Sequence, residues 1–453
     1  MTATDTDPTD GPPVSIVGAG LTGSMMALYL AERGYRVRLF ERRDDLRTAD
    51  VDAGRSINMA LSTRGLRALR DVGLADRVRR DTIPMYGRKI HGSDGTLRFQ
   101  SYGTSEQHIN SISRTNLTRL VVSAAADCEG VEIRFRRKCV DVDLQAPAPV
   151  VEHLDTDERT APDSRVVIGA DGAYSAVRQQ LLRTSGFDYS QEYLSHGYKE
   201  LTIPPAADGG WRFDRNALHI WPRHDFMFIA LPNPDGSFTG TLFLPIDGRT
   251  SFDALDSPAD VREFFEREFP DVLPEAPDLP DEFFDNPTGS LVTIRCNPFH
   301  YEDTVLLAGD AAHAIVPFFG QGMNASFEDC TIFDELLAKF DDDWARALPA
   351  FSRRRKPDAD AIAELSLDNY EEMRSRVADP SFLLGKELEQ RLQEWFPDRW
   401  RSLYSLVTFS TVPYAAAKER ADGRSEMLDA VIPGSTVDAA LELRDALLPD
   451  VGE

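Results

Sequence analysis

The stretch Val14–Glu41 reads VSIVGAGLTGSMMALYLAERGYRVRLFE, and its reading decides the fold. Val14-Ser15-Ile16-Val17 is a short apolar run that suits a buried strand. Gly18, Gly20 and Gly23 follow at once, in the spacing G-x-G-x-x-G. A helix over Ser24 to Arg33, stopped by Gly34, and a strand over Arg36 to Phe40 complete a βαβ unit. The first glycine turns the chain, the second lets backbone approach a pyrophosphate, and the third lets helix pack on strand. Glu41 ends the second strand about 20 residues on, where a carboxylate can bond a ribose hydroxyl. Arg42 and Arg43 would suit a 2′-phosphate there, but Glu41 would repel one. An ADP-containing cofactor without that phosphate, such as FAD, is expected. Its contacts are expected from Gly18, Gly20, Thr22, Gly23, Glu41, Arg42 and Arg43.

Two more glycine loops follow strands. Val166–Arg178, VVIGADGAYSAVR, is a strand, a tight turn through Gly169, Asp171 and Gly172, and a helix. Thr304–Asp329, TVLLAGDAAHAIVPFFGQGMNASFED, is a strand ending at Gly309-Asp310, then a broken stretch with Pro317 and Gly320. A helix from about Asn324 to Lys339 comes next. The backbone at Gly322, Met323 and Asn324 then offers unpaired N–H groups and a positive dipole end. A single cofactor cradled by all three loops would explain their scatter over 300 residues. The segment Gly54–Ser62, GRSINMALS, leads into a helix over Ser62 to Val72 closed by Gly73. Arg55 in that loop reads equally as a solvated charge or a cofactor contact.

The chain has 453 residues, 42% of them hydrophobic and 28% charged, enough for roughly two to three domains. Its formal charge of −25 disfavours nucleic acid and anionic membranes as partners. The four cysteines, Cys128, Cys139, Cys296 and Cys330, have no metal or redox spacing, so inert thiols in a reducing compartment are expected. Residues 1–13 are a polar, acidic lead-in. No apolar run reaches the ~18 residues a membrane span needs. A cytoplasmic protein is expected, as a monomer or homodimer.

From Pro84 the pattern turns to strands. Gly87 to His91 and Thr96 to Tyr102 flank Gly92-Ser93-Asp94-Gly95, a hairpin signal. Ser113 opens a helix over Leu117 to Ala126. Val131 to Phe135 and Lys138 to Leu144 read as a small meander, with a hairpin or loop over Ala146 to Asp163. Tyr198–Ile203, Ala217–Trp221, Phe226–Leu231 and Phe238–Leu244 suggest a largely antiparallel sheet. Asp253 to Phe269 reads as a helix and the acidic, proline-rich Asp271 to Asp285 as a loop. Beyond 329 the chain reads as helical, with Pro380, Pro397 and Pro413 near boundaries. The fold class is α/β. A Rossmann-like FAD-binding domain is expected over 14–84, 105–190 and 295–345. An inserted β-sheet substrate domain is expected over 85–104 and 191–294, and a C-terminal helical region over 346–453.

The combination of GAGLTG, GADGAYSAVR and LLAGDAAHAIVPFFGQGMNASFED resembles the FAD-dependent aromatic hydroxylases, the single-component flavoprotein monooxygenases. GRSINMALSTRG, HGYKELTIP, LHIWPR, FMFIALPNPDGSFTGTLF and NYEEMR resemble the kynurenine 3-monooxygenases among them. The likeness runs from about Val14 to Tyr414. It implies NADPH- and oxygen-dependent hydroxylation of L-kynurenine in tryptophan degradation, through a hydroperoxide formed on tightly bound FAD. It also implies cofactor contacts at Arg55, Ala60, Arg114, Asp171, Asp310, Gly322, Met323 and Asn324. No second strand–GxGxxG–helix unit is present, which fits NADPH docking transiently. The eukaryotic members' C-terminal membrane anchor is not carried over, because the chain after Tyr414 is charged. Another phenol or aniline hydroxylase of this fold, or a non-oxygenating flavin protein, stays open.

For substrate the likeness lands on Arg88, Tyr102, Asn369 and Tyr404. A carboxylate calls for a bidentate cation, and Arg88 is suited to that. Asn369, Glu372 and Met373 fall at i, i+3 and i+4, on one helix face. Arg88 and Tyr102 can share a sheet face only if the hairpin loop has an odd number of residues, such as Ser93-Asp94-Gly95. Pro317, Phe318, Phe319 and Gln321 are expected to form the pocket wall beside the reacting ring. His313 and His196 are expected to be structural hydrogen-bonders, because the flavin itself supplies the electrophile. No catalytic side chain and no metal ligand is assigned.

Overall fold

The computed structural model describes residues 11–48, 58–373, 389, 391–393, 395 and 400–431. Arg55, the first ten residues, Pro380, Pro397 and the acidic stretch 434–453 lie outside them. Two compact units emerge: 1–82, 112–194 and 290–363 form the first, and 83–111, 195–289 and 364–453 the second. The region 346–453 is thus shared between the units instead of forming its own. Its first helix, Trp344–Glu371, runs through Pro349 and Pro357.

The first unit is built on a six-stranded sheet. Its order is His300–Tyr301, Val305–Leu307, Val167–Gly169, Val14–Val17, Val37–Phe40 and Val131–Arg134. All neighbours pair in parallel except the first two. The chain starts in the middle at Val14 and winds outward in both directions. Ligands bind α/β sheets at such a switch point, beyond the carboxyl ends of the strands. Here the strands ending at Val17, Gly169 and Leu307 lie side by side, so all three glycine loops leave one end of the sheet.

The helix after the first loop spans Leu21–Glu32 and is apolar almost all round, with Met25, Met26, Ala27, Leu28 and Leu30 buried. Val131–Arg134 departs from the expected meander: it is the edge strand of the parallel sheet. Arg137–Asp143, Ala148–His153 and Arg159–Thr160 make a separate small antiparallel sheet. Asn58–Leu61 is a strand where loop was expected.

The second large sheet has seven strands, Gly289–Asn297 at one edge and then Asp188–Ile203, Phe238–Pro245, Phe226–Pro232, Ala217–Arg223, Gly87–His91 and Leu97–Ser101. From Asp188–Ile203 onward its pairs are antiparallel except Ala217–Arg223 with Gly87–His91. Trp221, Phe228, Phe238 and Leu242 pack with Phe264, Phe265 and Phe283 from the helices Pro258–Glu268 and Leu279–Asp285, and with Phe269 just after the first of them. The second of these helices replaces an expected loop. Pro280 lies in its first turn, where the missing N–H costs nothing, so the proline starts the helix instead of breaking it.

The hairpin satisfies the odd-loop condition. Arg88 pairs with Gln100, and Gly92 N–H donates to Thr96 O at 2.8 Å, which leaves the three-residue loop Ser93-Asp94-Gly95. Tyr102 N–H then donates to Tyr86 O at 3.0 Å, so Arg88 and Tyr102 fall on one face.

Candidate cofactor and substrate sites

In the first unit the three loops touch through their glycines. A Cβ on Gly18 would lie 2.5 Å from Ala170 O and 2.9 Å from Asp171 Cα. One on Gly309 would lie 2.5 Å from Thr22 Oγ1. One on Gly23 would sit 1.9 Å from Gly18 O, so only glycine lets this helix meet its strand. A Cβ on Gly20 would meet nothing within 4 Å. That open space lies beside the uncapped N-terminus of Leu21–Glu32, the donor set an anionic diphosphate needs.

Glu41 is buried at the end of Val37–Phe40. Its Oε2 accepts from Ala19 N–H at 3.0 Å and its Oε1 from Arg43 N–H at 3.0 Å. The carboxylate therefore stands against the first glycine loop. Arg43 Nε also bonds it, while Arg42 and Arg114 are exposed. In the second loop Asp171 Oδ2 accepts from Ala176 N–H at 2.7 Å, and its buried Oδ1 has no hydrogen-bond partner among the described residues. Burial raises the Asp171 carboxyl above its ordinary range.

At the third loop Asp310 opens a short helical turn, Asp310–His313, behind Gly309. Pro317–Phe319 is a 3-10 turn ended by Gly320 at φ +68°, and Gly322–Lys339 follows with no side-chain cap at its start. Phe318, Phe319 and Gln321 are buried and Pro317 is exposed. Asn324 Oδ1 accepts from Ser62 N–H at 2.9 Å, and its Nδ2 donates to Ala60 O at 2.8 Å. The helix start and the Asn58–Leu61 strand are thereby pinned together, bringing Ala60 to the same place.

Two features had escaped the sequence reading. Arg178 donates to Ala311 O at 2.8 Å and Ala173 O at 2.5 Å, tying the second loop to the third. Asp329 accepts from Gly309 N–H and His313 Nε2, as expected of a structural His313, and also pairs with Arg355. Neither has a local signature, since Ala311 is 133 residues from Arg178 and Arg355 is 26 residues from Asp329. Burial alone would raise the Asp329 carboxyl, but the His313 and Arg355 charges and the Gly309 N–H reverse this and hold it at about 2.

That folded-state value lies below the unfolded one of about 3.9, so the stability it contributes is present above about pH 4. It is lost as pH falls from there through about 2. Asp329→Asn is expected to flatten this part of the stability curve, as measured by denaturant melts across that window. An unchanged slope would mean other carboxylates govern acid unfolding.

In the second unit Arg88, Tyr102 and Tyr404 form a buried cluster. The tyrosine rings stack with centroids 4.8 Å apart and planes 11° from parallel. The Arg88 guanidinium lies 5.7 Å from one ring centroid and 5.2 Å from the other. Burial alone would disfavour its charge, but the Tyr102, Tyr404 and Glu372 groups around it raise the guanidinium pKa on balance, so Arg88 stays cationic, with Glu372 the group that carries an opposing charge. Burial raises both phenols, which therefore stay neutral and able to donate. Arg88 Nε and the Tyr102 hydroxyl are buried without a hydrogen-bond partner among the described residues. Asn369 and Met373 touch through Nδ2 and Sδ at 3.3 Å, one helical turn apart.

All four cysteines are free. Burial pushes the Cys139 and Cys296 thiols up to about 12, in keeping with inert side chains. His196 Nε2 lies 2.8 Å from Asp225 O, a structural contact. No described helix is long and apolar enough to cross a membrane, and the described residues contain no cluster of metal-ligating side chains.

A largely parallel sheet with three glycine loops leaving one end has the layout of a dinucleotide-type cofactor fold, and the comparisons place it among the FAD-dependent monooxygenases. A family model described as an FAD binding domain matches residues 12–210 and 274–366. The fold is shared with a tetrameric form of 2-methyl-3-hydroxypyridine-5-carboxylic acid oxygenase, at TM-score 0.67 and 21% identity over 83% of this chain and 96% of that one. It is also shared with p-nitrophenol 4-monooxygenase from Pseudomonas putida DLL-E4, at TM-score 0.65 and 18% identity over 97% and 99%.

The chain belongs to the kynurenine 3-monooxygenase family of FAD-dependent monooxygenases. It is 50% identical to the kynurenine 3-monooxygenase of Myxococcus xanthus (strain DK1622), over 89% of this chain and 87% of that one. It is 44% identical to that of Salinispora arenicola (strain CNS-205), over 96% of each.

Proposed function

We propose that this protein hydroxylates L-kynurenine at ring carbon 3, with NADPH and molecular oxygen as co-substrates. A ring C–H becomes C–OH with one oxygen atom. The other atom leaves as water, taking two electrons from NADPH and a proton. FAD, when bound, supplies the electron transfer and oxygen activation.

The observation that carries the substrate is Arg88, a buried cation whose Nε, like the nearby Tyr102 hydroxyl, has no hydrogen-bond partner within bonding geometry among the described residues. Such groups are costly to bury unless something completes them, and a carboxylate accepts from both. Glu372 is the acid that acts on Arg88 electrostatically. A cation and an anion together suit the carboxylate and ammonium of an amino acid. In this reading Tyr404 stacks on Tyr102 and fixes its ring plane, and Asn369 and Met373 line the pocket with Glu372.

In the first unit, Gly18–Gly23 and the helix start hold the diphosphate, Glu41 the adenosine ribose and Asp310 the ribityl chain. The uncapped N–H groups of Gly322, Met323 and Asn324 would stabilise the negative charge that FAD takes on when reduced. Phe318, Phe319 and Gln321, buried in the third loop, would keep water from the flavin ring. His313 moves no proton in this scheme, because its Nε2 is engaged by Asp329 at 2.7 Å.

The test is product identification after turnover with L-kynurenine, NADPH and oxygen. The expected result is 3-hydroxykynurenine, formed one for one with NADPH oxidised. Oxidation that p-hydroxybenzoate or salicylate stimulates and kynurenine does not would overturn the reading.

A further inference from the structure

Behind the third glycine loop lies a buried network of charges with no assigned role in hydroxylation. At its centre is Asp329, on the helix Gly322–Lys339 and completely buried. Its Oδ2 accepts from Gly309 N–H at 2.8 Å and from His313 Nε2 at 2.7 Å. Its Oδ1 accepts from Arg355 Nε at 2.7 Å. Arg355, also completely buried, reaches Glu328 Oε2 at 2.8 Å and Ala325 O at 3.2 Å. Glu328 pairs in turn with Arg64 on the helix Thr63–Asp71.

A buried carboxylate and guanidinium pair contributes little net stability, since desolvation offsets the attraction. What such a pair does well is fix geometry. Here the geometry fixed is unusual. Gly309 has φ +59° and ψ −144°, a left-handed conformation that only glycine adopts readily. Its one donor is spent on Asp329, and a Cβ on it would lie 2.5 Å from Thr22 Oγ1 of the first loop. His313, at the far end of the same turn, is held by the same oxygen. Both ends of Gly309–His313 are thus tied to one atom, and Asp310 lies between them.

We propose that Asp329 is a positioning residue for FAD: by holding both ends of the Gly309–His313 turn through one carboxylate oxygen, it sets where Asp310 meets the cofactor. Arg355 and Glu328 hold Asp329 in turn. The proposal rests on Asp310 being a cofactor contact.

Asp329→Asn keeps the side-chain volume and an oxygen for Gly309 but loses the charge that orders His313 and Arg355. In the holoenzyme, FAD release is expected to quicken about 10- to 100-fold, the size of one or two charge-assisted hydrogen bonds. The reduction potential and visible bands of the bound flavin are expected to shift with it, while the KM for L-kynurenine stays put. Wild-type release and potential in this variant would overturn the proposal.

If Asp329→Asn does not fold, a His313 pair decides. His313→Gln keeps an N–H for Oδ2 and His313→Leu removes it. Near-normal release in the first and faster release in the second supports the proposal, and equal behaviour of the two overturns it. Asp310→Asn separates the layers. If it holds FAD as tightly as wild type, the reading of Asp310 fails. If it releases FAD while Asp329→Asn does not, only the positioning role fails.

Discussion

Arg88→Ala is expected to raise the KM for L-kynurenine by about 100- to 1,000-fold while leaving FAD bound, because truncating one partner of a buried, hydrogen-bonded charge pair costs roughly 2–5 kcal/mol. The loss falls on KM because the carboxylate lies at the far end of the substrate from the reacting carbon. Its contact is the same in ground state and transition state, and removing uniform binding leaves kcat largely alone. FAD content is unaffected because Arg88 belongs to the second unit and the three glycine loops to the first. Arg88→Met guards against a packing artefact. It keeps an apolar stem beside the stacked Tyr102 and Tyr404 rings and should lose affinity about as much as alanine does. Arg88→Lys should recover only part, since an ammonium lacks the planar fork that meets a carboxylate twice. The measurement is steady-state kinetics with flavin absorbance on each purified variant. Loss of flavin with normal KM would show that Arg88 has been given the wrong partner.

How far the sequence carried depended on how local each feature is. The βαβ unit was readable because strand, glycines, stop glycine and terminal acid lie within 28 consecutive residues, and each has its own steric reason. The shared face of Arg88 and Tyr102 was readable only as a condition: sheet parity makes it depend on whether the turn has an odd number of residues, and the sequence also allowed a two-residue Ser93-Asp94 turn. Misreadings came where one residue type has two uses. The prolines of 271–285 suggested a loop, yet Pro280 begins a helix. Val131–Arg134 has the pattern of any short strand, and nothing in it states that its neighbour is Val37–Phe40. The Asp329–Arg355 pair was invisible for another reason. Adjacent acids in a helix usually face water, and only the fold brings an arginine 26 residues away to neutralise one inside the core.

The glycines of the first loop give the second large effect, and its value lies in the contrast between two identical changes three residues apart. Gly23→Ala is expected to abolish folding of the first unit. Its Cβ would sit 1.9 Å from Gly18 O, a backbone atom at the end of the central strand. Relief requires the helix Leu21–Glu32, apolar on nearly every side, to lift from the sheet. Overpacking of side chains alone typically costs about 1–3 kcal/mol, and a backbone clash at the sheet's centre exceeds that. Gly20→Ala should behave oppositely. Gly20 has φ −79° and ψ −165°, an extended conformation open to alanine, and its Cβ would touch nothing within 4 Å. The apoprotein should melt at or slightly above the wild-type temperature, since an alanine that fits without strain contributes about 0.4–1 kcal/mol through the unfolded chain. The methyl group would nevertheless occupy the space through which backbone N–H groups approach the diphosphate. Affinity for FAD should drop by at least about 100-fold, the effect of losing two or more charge-assisted hydrogen bonds. Thermal melts of the apoproteins and the flavin content of each variant measure both halves. A Gly20→Ala protein isolated with full flavin would show that the open side of this loop is not where FAD lies, and with it the placement of Glu41 against the ribose would fall.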